Sequence, residues 1–141
     1  MYGSLAGWRA YALERGDNAP TDAADDVAGA ALVRASDHIK YRYIANLLPG
    51  YDETLAVVEP ATYEAANLEL ATPGFFTKTY TPNQQKVLTG AGSIKWTVVG
   101  DGSATYGAQP VSTLIEAMFE PYIIDRDAPG FMLASIGPRC V

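Results

Sequence analysis

The stretch from Ala61 to Val99 constrains the fold most, because a helical pattern changes there into a strand pattern across an aromatic turn. Four residues of its first part recur at helical spacing and predict the inner face of a helix: Tyr63, Ala66, Asn67 and Leu70. Glu64 and Glu69 fall on other sides of that helix. Pro73-Gly74 cannot continue it, so the helix is expected to end there.

The connecting segment that follows is unusually aromatic. It contains Phe75, Phe76 and Tyr80, where a typical loop carries small polar residues. We expect this turn either to pack back onto its own helix or to contact another molecule. These three residues are therefore candidate contacts to a partner or a neighbouring subunit.

Beyond the turn, the pattern predicts a β-hairpin near residues 84–99. Residues 84–89 and 93–99 flank Gly90-Ala91-Gly92, which is typical of a short glycine loop. Ile94, Trp96 and Val98 alternate and are expected on one side, with Trp96 as a further candidate contact residue.

Two helices are predicted before this stretch. Ser4 is a plausible N-cap for the first helix, and Gly16 stands where its C-terminal cap would be. Thr21 or Asp22 is expected to cap a second helix that runs to about Ala45. Its core face is predicted from a repeat every four residues: Val27, Ala31, Ala35, Ile39 and Tyr43.

Two further helices are predicted, one on each side of the predicted hairpin. A third helix is expected to begin near residues 52–54, and Pro60 either bends it or opens its regular part as a first-turn proline. We expect one helix with a bend. In the last helix, Thr113 and Glu116 fit a capping box, and the helix ends at Pro121. Its apolar positions are Leu114, Ile115, Met118 and Phe119.

Together these elements predict a mainly α (α+β) domain, with about four bundled helices and a small β-hairpin. The domain is expected to span residues 1–121, and residues 122–141 form an extended C-terminal interaction tail. The tail is apolar, non-periodic and interrupted by Pro and Gly, so we expect it to need a partner. Its candidate contact residues are Arg126, Phe131, Met132, Leu133 and Ile136.

Charge argues against general nucleic-acid binding. The 141 residues include 10 Lys and Arg against 16 Asp and Glu, whereas duplex binding depends on phosphate neutralisation by cations. One weak candidate patch interleaves Lys40 and Arg42 with Tyr41 and Tyr43. We favour a structural interpretation, in which Tyr43 is core and the cations complement the helix C-terminus. The charged fraction of 18% is low and suggests oligomerisation.

The sequence predicts no enzyme, metal or cofactor. His38 is the only histidine and Cys140 the only cysteine, too few for a structural zinc site or a disulfide framework. Asp22, Asp25 and Asp26 have the spacing of a helix start, and Glu116 with Glu120 suggests a solvated or subunit-facing edge. We also expect no leader peptide and no membrane-spanning segment, since no apolar run approaches roughly 20 residues.

Several strings resemble the head-to-tail connector (adaptor) proteins of tailed bacteriophages, a family also labelled as a DnaT-like single-stranded-DNA-binding domain. They cover nearly the whole chain: MYGSLAGWRAYALERG, AALVRASDHIKYRY, ATYEAANLELATPGFFTKTYTPNQQKVL and PVSTLIEAMFEPYI. None of these strings is a catalytic signature.

The resemblance implies a structural protein of the virion neck, formed in the host cytoplasm during assembly. It implies identical subunits in a dodecameric ring beneath the portal protein, with a tail or neck (stopper) protein on the other side. DNA would pass through the channel without specific binding. The alternative is a DnaT-like single-stranded-DNA-binding accessory protein, in which Lys40 and Arg42 would contact the strand.

Overall fold

The computed structural model describes residues 1–77, 90–91, 94–95 and 110–123. This part of the chain is mainly helical, as predicted. Its α-helices are α1 (Leu5–Glu14), α2 (Ala19–Asp22), α3 (Asp25–Arg42), α4 (Val58–Ala71) and α5 (Thr113–Phe119), and a 3-10 turn covers Ile44–Asn46.

The core lies between α3 and α4, which form the most extensive helix pair, and α1 and α5 close it. Alanines on α3 and α4 let these two helices approach closely: Ala28, Ala31, Ala35, Ala61, Ala65 and Ala66. Large side chains fill the remaining space: Trp8, Leu32, Ile39, Tyr43, Ile115 and Phe119. Burial of each large side chain contributes about 1.5–3 kcal/mol, so α5 is a substantial part of the core despite its length.

The first helix follows the prediction. The Ser4 hydroxyl accepts a hydrogen bond from the Gly7 amide at 3.1 Å, and Gly16 has the positive φ of a helix terminator. Trp8 is buried, and its Nε1 donates to Asn67 Oδ1 at 2.8 Å, which ties α1 to α4.

The start of the second predicted helix was wrong. Thr21 and Asp22 lie in the short α2, and α3 begins at Asp25 after Ala24, which makes no side-chain cap. Val27 is 50% exposed, and Ala28 takes the core position instead. A strict four-residue repeat drifts by about 40° per step around a helix, so its first and last members cannot share one narrow face.

The predicted bend in the third helix was also wrong. Helix α4 begins at Val58, and Pro60 occupies its first turn, where backbone amides need no intrahelical acceptor. Asp52 instead forms a local turn, because its Oδ1 accepts from both the amide and the hydroxyl of Thr54. That hydrogen bonding competes with helix formation.

Helix α5 has the predicted position but not the predicted cap. Ser112 is its N-cap and makes no side-chain cap, so Thr113 and Glu116 do not form a capping box. Ile115 and Phe119 are buried, whereas Leu114 is 50% exposed. The short helix therefore buries only the face that carries Ile115 and Phe119.

Two short strands are described in the hairpin region. Gly90–Ala91 and Ile94–Lys95 pair antiparallel, with Gly90 opposite Lys95 and Ala91 opposite Ile94. Gly90 and Ala91, which the pattern assigned to the loop, are thus strand residues. The rest of residues 84–99 lies outside the described residues, so the full hairpin stays a prediction.

The first two residues of the predicted tail lie on the helical body. The Leu48 amide donates to the Tyr122 carbonyl at 2.9 Å, and Leu47 and Ile123 form an isolated antiparallel bridge. The Tyr51 and Tyr122 rings meet edge to face at 5.2 Å. The described body therefore extends to Ile123. None of the described helices is long and apolar enough to cross a membrane.

Candidate functional site

The predicted contact region after α4 is partly described, as residues 73–77, which we call the aromatic turn. Gly74 has φ +78°, a conformation that L side chains rarely adopt. The Phe75 amide donates to the Thr72 carbonyl, and the Thr77 amide donates to the Gly74 carbonyl. The turn is therefore a hydrogen-bonded structure rather than an open connection.

Glu69 anchors the turn from within the core. Its side chain is fully buried, although the sequence pattern placed this residue off the predicted inner face of the helix. Oε1 accepts from the Phe76 amide at 3.0 Å, and Oε2 accepts from the Gly74 amide at 2.9 Å and from Arg34 Nε at 2.8 Å. Burial raises the pKa of Glu69, but these three donors outweigh it, so the pKa lies below its usual value.

The rings of the turn continue into a chain of aromatic contacts, which we call the aromatic ladder. Its members are Phe75, Phe76, His38, Tyr43 and Phe119. Phe76 stacks on His38 with centroids 3.7 Å apart, and the His38 ring meets Tyr43 at 5.8 Å, edge to face. Tyr43 stacks on Phe119 at 4.6 Å, and Phe75 packs edge-on against Phe76 at 4.9 Å. The ladder joins the turn, α3 and α5.

Phe76, a predicted partner contact, thus packs onto its own chain. Its amide is bound by Glu69 and its ring covers one face of His38. The sequence left open whether the turn packs onto its own chain or contacts another molecule, and for Phe76 the structure shows packing onto its own chain. Phe75 is also half-buried.

His38 lies half-buried in the ladder. Burial and, to a lesser extent, the Arg42 guanidinium lower its pKa, and Glu69 and Glu116 partly oppose the shift, so that the pKa is about 4. The imidazole is therefore neutral at pH 7. Its contacts with Phe76 and Tyr43 make it a packed side chain.

Arg42, Tyr43 and Glu116 tie α5 to the end of α3. Glu116 Oε1 accepts from Arg42 Nη2 at 2.9 Å and from the Tyr43 hydroxyl at 2.8 Å. Burial and the Glu116 carboxylate raise the pKa of Tyr43, so this hydroxyl stays a donor. The sequence places Glu116 on a solvated or subunit-facing edge; in the structure its side chain is 33% exposed, and the carboxylate pairs within the chain. Glu120 is exposed.

The weak nucleic-acid patch divides into two halves. Lys40 is exposed, and its Nζ lies 5.7 Å from the ring centroid of Tyr41, which is 71% exposed. Arg42 pairs with Glu116, and Tyr43 is buried. The structural interpretation of Tyr43 is confirmed. Of the four residues of this patch, only Lys40 and Tyr41 are exposed.

The other candidate contacts lie outside the described residues. These are Tyr80, Trp96, Arg126, Phe131, Met132, Leu133 and Ile136. Within residues 1–77 and 110–123, no three His, Cys, Asp or Glu side chains converge as metal ligands would.

Sequence periodicity missed the two carboxylates that organise this region, Glu69 and Glu116. Each pairs with an arginine far away in sequence, so no local spacing marks the pair. The only usable signal was Glu69 five residues before Gly74, at a helix end that disfavours negative charge.

Searches against protein-family models, curated proteins and solved structures found no match for this chain.

Proposed function

We propose that the protein is a structural subunit of a tailed-phage particle, an adaptor that joins the portal to the tail or neck and extends the DNA channel. The family resemblance of the sequence supports this proposal. One structural observation carries it further: both segments that contain the unassigned contact residues begin at the same end of α3.

The first of these segments, residues 78–109, begins next to the aromatic turn. Phe76 stacks on His38, in the last turns of α3. The segment contains Tyr80 and Trp96.

The second segment, residues 124–141, begins after Ile123. The Ile123 amide donates to the Phe119 carbonyl at 3.1 Å, and Phe119 stacks on Tyr43, which caps α3. The aromatic ladder therefore links the two starting points. Arg126, Phe131, Met132, Leu133 and Ile136 follow in this segment.

A subunit that uses two long segments to bind large partners benefits when the start of each segment is fixed on its helical body. A partner-binding segment that starts from a fixed point on the helical body has less freedom to lose on association. In this proposal the segments reach the portal protein and the adjacent identical subunits of a dodecameric ring. A tail or neck (stopper) protein occupies the other side, and DNA passes through without specific binding.

A second candidate function, single-stranded-DNA binding, has one observation in its favour. Lys40 and Tyr41 form an exposed cation–aromatic pair, which suits a stacked base and its phosphate. The net charge of −6 and the pairing of Arg42 with Glu116 oppose it. It therefore ranks second.

Binding to a portal protein of a tailed phage provides the test. Light scattering coupled to size exclusion measures the mass of the chain with and without portal, and titration measures affinity. Phe131→Ala and Leu133→Ala are expected to weaken portal binding roughly tenfold or more, as buried interface anchors do. Leu13→Ala and Val33→Ala remove exposed apolar side chains from the helical body and serve as matched controls, with affinity within about twofold of wild type.

Two results would contradict the adaptor function. The first is a chain that never associates with portal. The second is tight oligonucleotide binding at physiological salt that Lys40→Ala abolishes, which would favour the DNA-binding alternative.

A further inference from the structure

The buried carboxylate of Glu69 occupies a position that is electrostatically unfavourable for the helix itself. Glu69 lies in the last turn of α4, where the helix dipole disfavours negative charge. Its side chain has no exposed surface, so it also loses its hydration. A carboxylate stays ionised in such a place only if dedicated donors surround it.

Those donors come from two separate parts of the chain. Arg34 on α3 contributes its guanidinium, and the aromatic turn contributes the amides of Gly74 and Phe76, all at 2.8–3.0 Å. The positive φ of Gly74 accompanies this arrangement of the turn, in which alternate amides share one carboxylate. The arrangement is that of a small anion site built from a cation and two backbone amides.

We propose that Arg34 with the amides of Gly74 and Phe76 forms a carboxylate-binding site, whose resident ligand Glu69 latches the aromatic turn onto α3. With the site filled, the turn is held by its backbone and Phe76 covers His38. With the site empty, two amides lose their acceptor, and the turn is held less firmly. The ligand class is a small carboxylate, and the inference is independent of the proposed function.

Replacement of Glu69 by alanine makes the site testable with a free ligand. The alanine side chain keeps Cβ, and the atoms removed correspond to the methyl and carboxylate groups of acetate. In Glu69→Ala, exchange of the Gly74 and Phe76 amides, measured by NMR on the full chain, is expected to rise roughly tenfold or more. Added sodium acetate should restore protection in a saturable manner, whereas sodium chloride at equal ionic strength should not.

Two controls separate the latch from a general loss of packing. In Glu69→Ala with Arg34→Gln, acetate should no longer restore protection, because the cation of the site is gone. Glu64→Ala removes a different, partly buried carboxylate of α4, which pairs with Arg15, and should leave exchange at Gly74 and Phe76 unchanged with or without acetate.

Glu69→Gln covers the case in which the alanine variant does not fold. Its side chain keeps the size but offers one weaker acceptor, so exchange at Gly74 or Phe76 should still accelerate. Acetate-dependent recovery of the helical circular dichroism of Glu69→Ala would then replace the exchange measurement. Wild-type protection in both variants, or equal effects of acetate and chloride, would overturn the proposal.

Discussion

Acidification from pH 7 to pH 5 should destabilise the folded protein through His38. Burial and Arg42 lower the pKa of this imidazole from 6.5 to about 4, so the folded state holds it neutral throughout this range. The unfolded chain takes up a proton as the pH falls through 6.5, whereas the folded chain does not until about pH 4. Stability is therefore lost progressively between these two values.

The magnitude follows from proton linkage. The full difference between the two pKa values corresponds to about 3 kcal/mol, of which about 2 kcal/mol is reached at pH 5. Because His38 is only partly buried, solvent screening reduces the expected loss to about 1 kcal/mol. Glu69, whose pKa is lowered, adds its own loss only at more acidic pH, below the ordinary range of a glutamate.

Urea unfolding followed by circular dichroism at pH 7, 6 and 5 measures this loss. His38→Gln is the matched variant, because it removes the only histidine and should make the profile clearly flatter over the same range. A profile with the same slope in His38→Gln would refute the reasoning. So would an unshifted His38 pKa, near 6.5, in an NMR titration of the folded protein.

Two further predictions concern stability. Gly3→Ala should cost about 2–4 kcal/mol, because Gly3 has φ +75° and an added Cβ would lie 2.5 Å from the Tyr63 ring. Gly16→Ala, with φ +76° and open space around it, should cost only about 1 kcal/mol, and equal losses in urea unfolding would contradict the steric argument. Glu116→Gln should cost about 1 kcal/mol, because Tyr43 and a partly exposed arginine lose a charged acceptor. High salt should weaken wild type more than this variant, and identical salt dependence would exclude the charge contribution.

Local rules of the chain predicted much of the helical framework. The cap at Ser4, the terminator at Gly16 and the end of α4 before Pro73-Gly74 depend on residues within a few positions of each other. Such signals act through backbone conformation and short hydrogen bonds, so they are readable without the tertiary structure. The burial of Tyr43 also followed from its position at the end of an amphipathic helix.

Tertiary pairing decided the features that the sequence could not predict. Glu69 is buried because Arg34 and the returning turn supply donors, and neither partner is a neighbour on α4. Glu116 was expected to form a capping box with Thr113. Its carboxylate instead accepts hydrogen bonds from Arg42 and Tyr43, at the end of α3. A residue that is polar by type gives no periodic sign of such a partner.

The docking of α5 joins residues that are 74 positions apart in the chain, from Arg42 to Glu116. Closing a loop of that length costs about 0.6 kcal/mol more chain entropy than closing the loop between α3 and α4, which meet over about half that separation. Helices α1, α3 and α4 can therefore assemble early, and α5 should add late in folding and detach first under mild denaturant. Since Ile123 lies only four residues after the end of α5, the same partial unfolding would release the start of the C-terminal segment while α1, α3 and α4 remained folded.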